Sequence, residues 1–334
     1  MPVPKAFDNL PPEIRRQLRK TDPPGWFRPM LATLTEKRFS REGWLFEPKF
    51  DGVRCLVFRR GRSVELLSRN EKLLNTKYPE LVEALQELKP SSFIADGEIV
   101  AFDKGLTSFT RLQQRMQVQY PSTELQRAVP VSMYIFDLLY LDPYDLRGIP
   151  LRLRKQLLGD TLALAEPLRF TEHRETEGEA YFEEACRRHW EGVIAKNGDS
   201  TYVSGRSREW LKFKCVAEQE FVIGGYTDPE GQRIGFGALL VGYYERGKLK
   251  YAGKVGTGYD DALLRQLGKQ LHALETHTNT FDSDLRPRSG VHWVKPKLVA
   301  QIGFTEWTSS GKLRHPRFLG FRDDKAASEV RREK

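Results

Sequence analysis

Cysteine is scarce in this chain: Cys55, Cys186 and Cys215 are all it holds, and their spacing matches no metal-ligand pattern. So few thiols read as reduced cysteines of a cytosolic protein, and a cysteine-held metal centre is left without ligands. The six histidines form no paired metal motif either. No apolar run reaches the length of a membrane span, and no signal-peptide pattern is present. Coiled-coil heptads and broad apolar helix faces are missing, so a monomer is expected. Acidic residues are outnumbered, 45 Asp and Glu against 54 Lys and Arg, and the net charge of +9 suits a polyanionic partner.

What is present is enough chain for two domains, 334 residues at 39% hydrophobic and 30% charged, the balance of a soluble globular protein. Its centre is Glu47 to Arg54, EPKFDGVR, at the end of an apolar, aromatic run through Trp44, Leu45 and Phe46. Strand alternation puts Glu47, Lys49 and Asp51 on one face and Phe50 on the other, before Gly52 breaks the strand. An exposed strand carries such charges harmlessly. Here, however, the pattern recurs within apolar sequence. Asp96 and Glu98 flank Gly97 in 93–102, with the glycine open to close approach of a ligand; Glu191 and Lys196 flank three apolar residues; Lys212 and Lys214 share a face opposite Leu211 and Phe213. A lysine amine is a nucleophile only when neutral, and burial or neighbouring cations bring its pKa down from about 10.4.

The patterning predicts an α+β chain of antiparallel sheets with flanking helices. Residues 1–27 read as a basic, partly mobile arm able to touch DNA, with one short helix at 11–19. Residues 28–216 form the main domain, with strands across 44–67 turning near Gly61, at 93–102 and at 131–142, and helices at 78–88, 107–117, 151–164 and 177–189. Residues 217–334 change character to short strands at 220–226, 236–244, 248–254, 297–304 and 317–321, with one helix at 260–273, which is the pattern of an OB-fold barrel. The stretch 276–291 reads as a polar loop.

EPKFDGVR resembles the K-x-D-G-x-R motif of the covalent nucleotidyltransferases, and the chain as a whole resembles the ATP-dependent DNA ligases, especially the ligase module of bacterial end-joining ligases of the ligase D type. Further segments match in order: Asp96-Gly97-Glu98; Phe136 before Asp137; Glu191-Gly192-Val193-Ile194-Ala195-Lys196; Lys212 and Lys214; and Arg314-His315-Pro316-Arg317 with Arg322-Asp323-Asp324-Lys325. The resemblance implies an AMP-bearing nucleophile at Lys49 with Asp51 orienting it, and phosphate-binding cations at Arg54, Arg69, Lys212 and Lys214. Nucleotide contacts are implied at Glu47, Glu98, Glu191 and Lys196, and adenine stacking on Phe136. Glu98 and Glu191 are candidate Mg²⁺ ligands, with Mn²⁺ as an alternative metal. Arg322, Asp324 and Lys325 are implied in orienting the pyrophosphate leaving group. Arg206 and Arg208, in what reads as a flexible basic loop, and Arg314 and Arg317 are candidate DNA contacts.

By the same resemblance the substrates are ATP and nicked or broken duplex DNA, the setting is DNA repair or recombination by end joining in the bacterial cytoplasm at the nucleoid, and the DNA-end-binding protein Ku and a repair polymerase are candidate partners. The chain shows no large helical DNA-binding domain ahead of the core, no zinc, helix-hairpin-helix or BRCT modules, and no polymerase or nuclease module. A free-standing ligase and an excised module both remain open. So do an RNA ligase, a GTP-using mRNA capping enzyme and a non-catalytic nucleic-acid-binding protein.

Overall fold

The computed structural model describes residues 5–215, 217–229, 231, 234–282 and 290–333. The chain divides into two compact units, Met1–Cys215 and Val216–Lys334.

In the first unit the longer elements are, in chain order, β1 (Met30–Leu34), β2 (Trp44–Lys49), β3 (Val53–Arg60), β4 (Ser63–Ser68), α1 (Pro79–Glu87), β5 (Ser92–Asp103), α2 (Phe109–Met116), β6 (Val131–Leu141), α3 (Leu151–Thr161), α4 (Gly178–Arg187), β7 (Gly192–Asn197) and β8 (Gly205–Lys214). They build two sheets. The larger runs β6-β5-β3-β4 with antiparallel neighbours. The smaller runs β2-β7-β8-β1; its β2, β7 and β8 are antiparallel and β1 lies parallel to β8.

Alternation decides what each face of the smaller sheet does. Trp44, Phe46, Val193, Ala195 and Phe213 pack with Tyr181 and Ala185 of α4 into one core. Gly178 lets α4 come this close, because a Cβ there would lie 2.2 Å from the Phe46 ring. The opposite face carries Glu47, Lys49, Lys196, Trp210, Lys212 and Lys214. A second cluster, with Met30, Tyr202 and Trp210 from one sheet's strands and approaches and Leu56, Phe58, Ile94 and Phe136 from the other, joins this face to the larger sheet. The far side of the larger sheet is closed by α1, α2 and α3 over the main core.

The second unit contains β9 (Ala217–Thr227), β10 (Leu239–Glu245), β11 (Lys248–Val255), α5 (Asp261–Ala273), β12 (Val299–Phe304) and β13 (Arg317–Phe321), with a short strand Val291–Val294 also on β9. The strands run in the order β11-β10-β9-β12-β13. Backbone hydrogen bonds from Leu313 N to Ala252 O and from Phe318 N to Thr257 O bridge the remaining edge. This is the expected OB-fold order, with α5 between the third and fourth barrel strands and started by Asp260, whose carboxylate accepts from Leu263 N at 2.8 Å.

Several expectations need correction. The N-terminal segment is packed rather than mobile where it is described: Phe7 and Leu10 are buried in the main core, and Arg19–Lys20 pairs with Tyr144–Asp145. Apolar side chains every few residues anchor a stretch whose Pro and Arg content suggested a tail. Cys186 and Cys215 are not reduced thiols; they form a disulfide, and Cys55 is a buried free thiol. Gly205 to Arg208 is no loop but the start of β8, paired with Met30 to Ala32. The expected loop at 276–291 holds the short strand Glu275–Thr276 at its start and Val291–Val294 at its end, and 283–289 lie outside the described residues. Among the described residues no helix is long and apolar enough to cross a membrane.

Candidate active site: charges between two sheets

Lys49 is the last residue of β2 and pairs across the ladder with Gly192, which in turn faces Lys214. Gly192 has φ +150°, and a Cβ there would lie 1.9 Å from Phe213 O, so the three strands can close only around a glycine. Glu191, one residue earlier, forms an ion pair with Lys49 Nζ. Burial pulls the Lys49 pKa down, but Glu191, then Asp51 and Glu98, outweigh it and hold the amine above the ordinary lysine value. The expectation of a lowered pKa is therefore reversed in the resting site: three carboxylates surround the amine.

Asp51 has left the strand, which ends at Lys49. Its Oδ2 accepts from Phe109 N at 2.9 Å and its own N–H donates to Thr107 Oγ1 at 3.3 Å, so it ties the turn after Lys49 to the start of α2. Gly52 is fixed by crowding, since a Cβ would meet Ile99 O at 2.3 Å. Gly97, expected to admit a ligand, is crowded instead by the neighbouring strand: its Cβ would lie 2.7 Å from Tyr134 O.

Arg54 faces Lys49's sheet from β3. Its Nε and Nη2 donate to Asp96 Oδ1 and Oδ2 at 2.5 and 2.7 Å, and Nη2 also to Met30 O at 3.2 Å. Tyr202 Oη donates to the same carboxylate at 2.6 Å. Burial opposes the Arg54 charge and Asp96 more than restores it. Glu98 is the residue opposite Arg54 on β5. Phe136, 6% exposed, is flanked by cations rather than by open space: Arg54 lies 4.5 Å and Lys196 4.0 Å from its ring centre. A flat ligand stacked on that ring would have to displace one of them.

Glu47 is shared. Its Oε1 accepts from Lys155 Nζ at 2.7 Å and its Oε2 lies 2.5 Å from Lys196 Nζ. Burial raises its pKa, and Lys155 and Lys196 together bring it below the usual carboxylate value. Lys212 and Lys214 lie on the site face of β8, in register with Ile194 and Gly192. Arg69 follows β4 in a turn, half-buried. Arg206 and Arg208 are exposed, and Arg206 Nη1 donates to Ala32 O at 2.7 Å.

Within the second unit, Arg322 makes a two-pronged contact with Asp324, 2.9 Å on each arm, and Lys325 forms an ion pair with Glu220. Burial works against the Asp324 charge, but Arg322 and Lys325 hold its pKa below the carboxylate norm. Arg314 pairs with Glu306 at 2.6 Å, and Arg317 opens β13, exposed.

The sequence reading missed Lys155, the buried Arg154–Asp137 pair and Trp210. Trp210 is two residues before Lys212 on the same face, and its buried indole N–H has no hydrogen-bond partner among the described residues. That spacing was a usable signal; the two cations on α3 gave none, since charges on an amphipathic helix usually face water.

Lys49 thus lies in the field of three carboxylates, on the sheet face that also carries Lys212 and Lys214. Family models match the chain: "ATP dependent DNA ligase domain" matches residues 29–214, and "ATP dependent DNA ligase C terminal region" matches 232–325. The chain belongs to the ATP-dependent DNA ligases. It is similar to the multifunctional non-homologous end joining DNA repair protein LigD of Mycobacterium tuberculosis, 41% identical over 313 residues, which are 91% of this chain and 40% of the relative. It is also similar to the LigD protein of Pseudomonas aeruginosa, 36% identical over 94% of this chain and 38% of the relative. The chain thus spans about two-fifths of the length of these curated relatives. The solved structure of mycobacterial DNA ligase D complexed with ATP and MES is 36% identical, with 92% of this chain and 98% of that one covered and a TM-score of 0.64.

Proposed function

We propose that the chain seals nicked or broken duplex DNA through a covalent lysine–AMP intermediate, working in bacterial non-homologous end joining. Lys49 Nζ attacks the α-phosphate of ATP; an N–P bond forms and the bond to pyrophosphate breaks. AMP then passes to the 5′-phosphate at the nick, and the 3′-hydroxyl attacks that phosphate and releases AMP. The observation that carries this reading is Lys49 at a strand end, ion-paired to Glu191 just ahead of the partner strand, with Lys212 and Lys214 on the same face of the sheet. Phosphoryl transfer needs positioning and charge neutralisation, and these cations provide both.

Nζ is held protonated at rest. It becomes a nucleophile when the Glu191 contact is given up, because burial then draws its pKa down. Glu191, ion-paired with Lys49, and Glu98, in the field of the same ammonium, are carboxylates of the kind a hard cation takes and would hold Mg²⁺ or Mn²⁺, which would supply charge neutralisation at the phosphates. The Trp210 N–H beside Lys196, without a hydrogen-bond partner among the described residues, offers a donor for the nucleoside. Arg69 contributes to phosphate binding. Arg322, Asp324 and Lys325 serve the first step, so Lys325→Ala should block adenylylation by ATP yet leave sealing of a pre-adenylylated nick. The end-joining role is extended from what the LigD relatives are named for, and Ku and a repair polymerase are the partners it suggests; we read the chain as a monomer acting on nucleoid DNA.

The test is incubation with α-labelled ATP, and in parallel with labelled GTP and NAD, in Mg²⁺. Acid-labile label from ATP alone, lost in Lys49→Ala, followed by sealing of a nicked duplex, is expected. Label from GTP would move the reading to a capping enzyme, sealing confined to nicked RNA would move it to an RNA ligase, and no label in AMP-free protein would leave a binding module.

A further inference from the structure

The proposed chemistry gives the buried Lys155 no role. Lys155 lies on α3, is 2% exposed, and donates to Glu47 Oε1 at 2.7 Å and to the Thr171 carbonyl at 2.9 Å. Glu47 and Lys196 are equally buried. Two ammonium groups thus share one carboxylate, and the row carries an uncompensated positive charge out of water. A balanced Glu47–Lys196 pair needs no third member, and an extra buried charge works against stability. The excess charge is placed asymmetrically. The Lys155 end is closed by a backbone carbonyl and the Phe170 ring, 4.7 Å away. The Lys196 end opens onto Phe136 and Trp210, at 4.0 and 4.3 Å, in the field of the proposed nucleotide site.

We propose that Lys155 is a positioning residue that, by holding one oxygen of Glu47, sets the charge and aim of Lys196 toward the bound nucleoside triphosphate. The inference rests on the nucleotide-site reading above. Other charges near Lys196 are already committed. Asp137 on β6 is bound by Arg154 at 2.8 and 2.9 Å, and Arg54 on β3 is bound by Asp96. Among the described residues Glu47 and Lys155 act on it more strongly than Asp137 does, and His173 stands in the field of Lys155 and Glu47. Burial lowers the Lys196 pKa most; Glu47 raises it, the like charge of Lys155 lowers it again, and it settles at about 8. Lys196 is therefore a cation below that pH and a neutral amine above it. A mere packing role for Lys155 would leave this titration alone.

The measurement is the equilibrium Kd of α,β-methylene-ATP, which the lysine cannot cleave, for the full chain from pH 6.5 to 10. Wild type should weaken at least about threefold as pH rises through about 8. Lys196→Met should abolish that inflection. Lys155→Met removes the repelling charge and gives Glu47 wholly to Lys196, so the inflection should rise by about one pH unit or more; Glu47→Gln should move it down by a similar amount; Lys155→Arg should restore the wild-type curve. Shifts in the same direction in Lys155→Met and Glu47→Gln, or an inflection that survives Lys196→Met, overturn the proposal. Should Lys155→Met fail to fold, Glu47→Gln and Lys196→Met still decide. Wild type that binds no ATP analogue at any pH sinks the nucleotide-site reading itself; binding with a curve unmoved by these variants sinks this inference alone.

Discussion

Arg154 and Asp137, the residue after Phe136, are both fully buried and joined by two hydrogen bonds. Arg154 also donates to Ile149 O at 2.6 Å and Ser200 O at 3.0 Å, so all its neighbours depend on one guanidinium. Arg154→Met strands a carboxylate without a partner and should cost about 3–5 kcal/mol in denaturant unfolding; adding Asp137→Leu should recover part of the loss, because the penalty is the orphaned charge rather than the missing pair. Lys196 makes a second prediction, of the opposite sign to the usual salt bridge. Its folded pKa of about 8 lies below the unfolded lysine value. Between about pH 8 and 10.4 the unfolded chain binds a proton that the folded one does not, so stability should rise with pH across that window by roughly 1–3 kcal/mol. Urea unfolding at several pH values checks it, and Lys196→Met should flatten the slope. Of these residues the sequence made Lys49, Glu191, Lys212 and Lys214 visible, because a charge inside an apolar strand is conspicuous. Arg154 and Lys155 were invisible, because which side of a helix meets a sheet is decided by partners far along the chain.

Elements whose signal is local were legible: α2, α3, α4 and α5 each fall within three residues of the span expected from the sequence. Elements made by distant pairing were not. Gly205-Arg206-Ser207-Arg208 has turn composition, yet β1, about 170 residues earlier, supplies its backbone partners. The Cys186–Cys215 disulfide links the last turn of α4 to the residue after β8, and nothing in the sequence brings these two together. It closes a separation of 29 residues. Reduction should therefore lower unfolding stability by about 2–4 kcal/mol, read as a fall in Tm with dithiothreitol that Cys186→Ser no longer shows. Asp51 acts at this scale too. By accepting from Phe109 N it holds the first turn of α2 against the loop that follows Lys49. Asp51→Ala should cost about 1 kcal/mol as a lost hydrogen bond to the first N–H of the helix, which Ser108 caps from within the chain. It should also slow ATP labelling of Lys49 by more than that loss of folded protein explains, which a comparison of labelling rate with the folded fraction separates.

For the whole molecule, two units with separate cores carry the family's two regions in one chain of net charge +9. That charge is a long-range property, and its effect on a duplex is read through salt. Each phosphate neutralised releases condensed counterions and adds about −0.9 to the slope of log affinity against log salt. The four arginines read as DNA contacts are not equivalent in this respect. Arg208 is exposed on β8, and its loss should reduce the slope by about one unit with equal effect on all duplex sequences. Arg206 is partly committed to Ala32 O, and Arg314 to Glu306 at 2.6 Å. An arginine already paired with a carboxylate brings less net charge to a phosphate, so Arg314→Ala should change the slope by less than Arg208→Ala, while Glu306→Gln should tighten binding and steepen it. Titrating a nicked duplex at several potassium chloride concentrations distinguishes the cases. Equal slopes in wild type, Arg208→Ala and Arg314→Ala would remove these arginines from the DNA-binding surface and leave the affinity to the lysines and arginines between the two sheets.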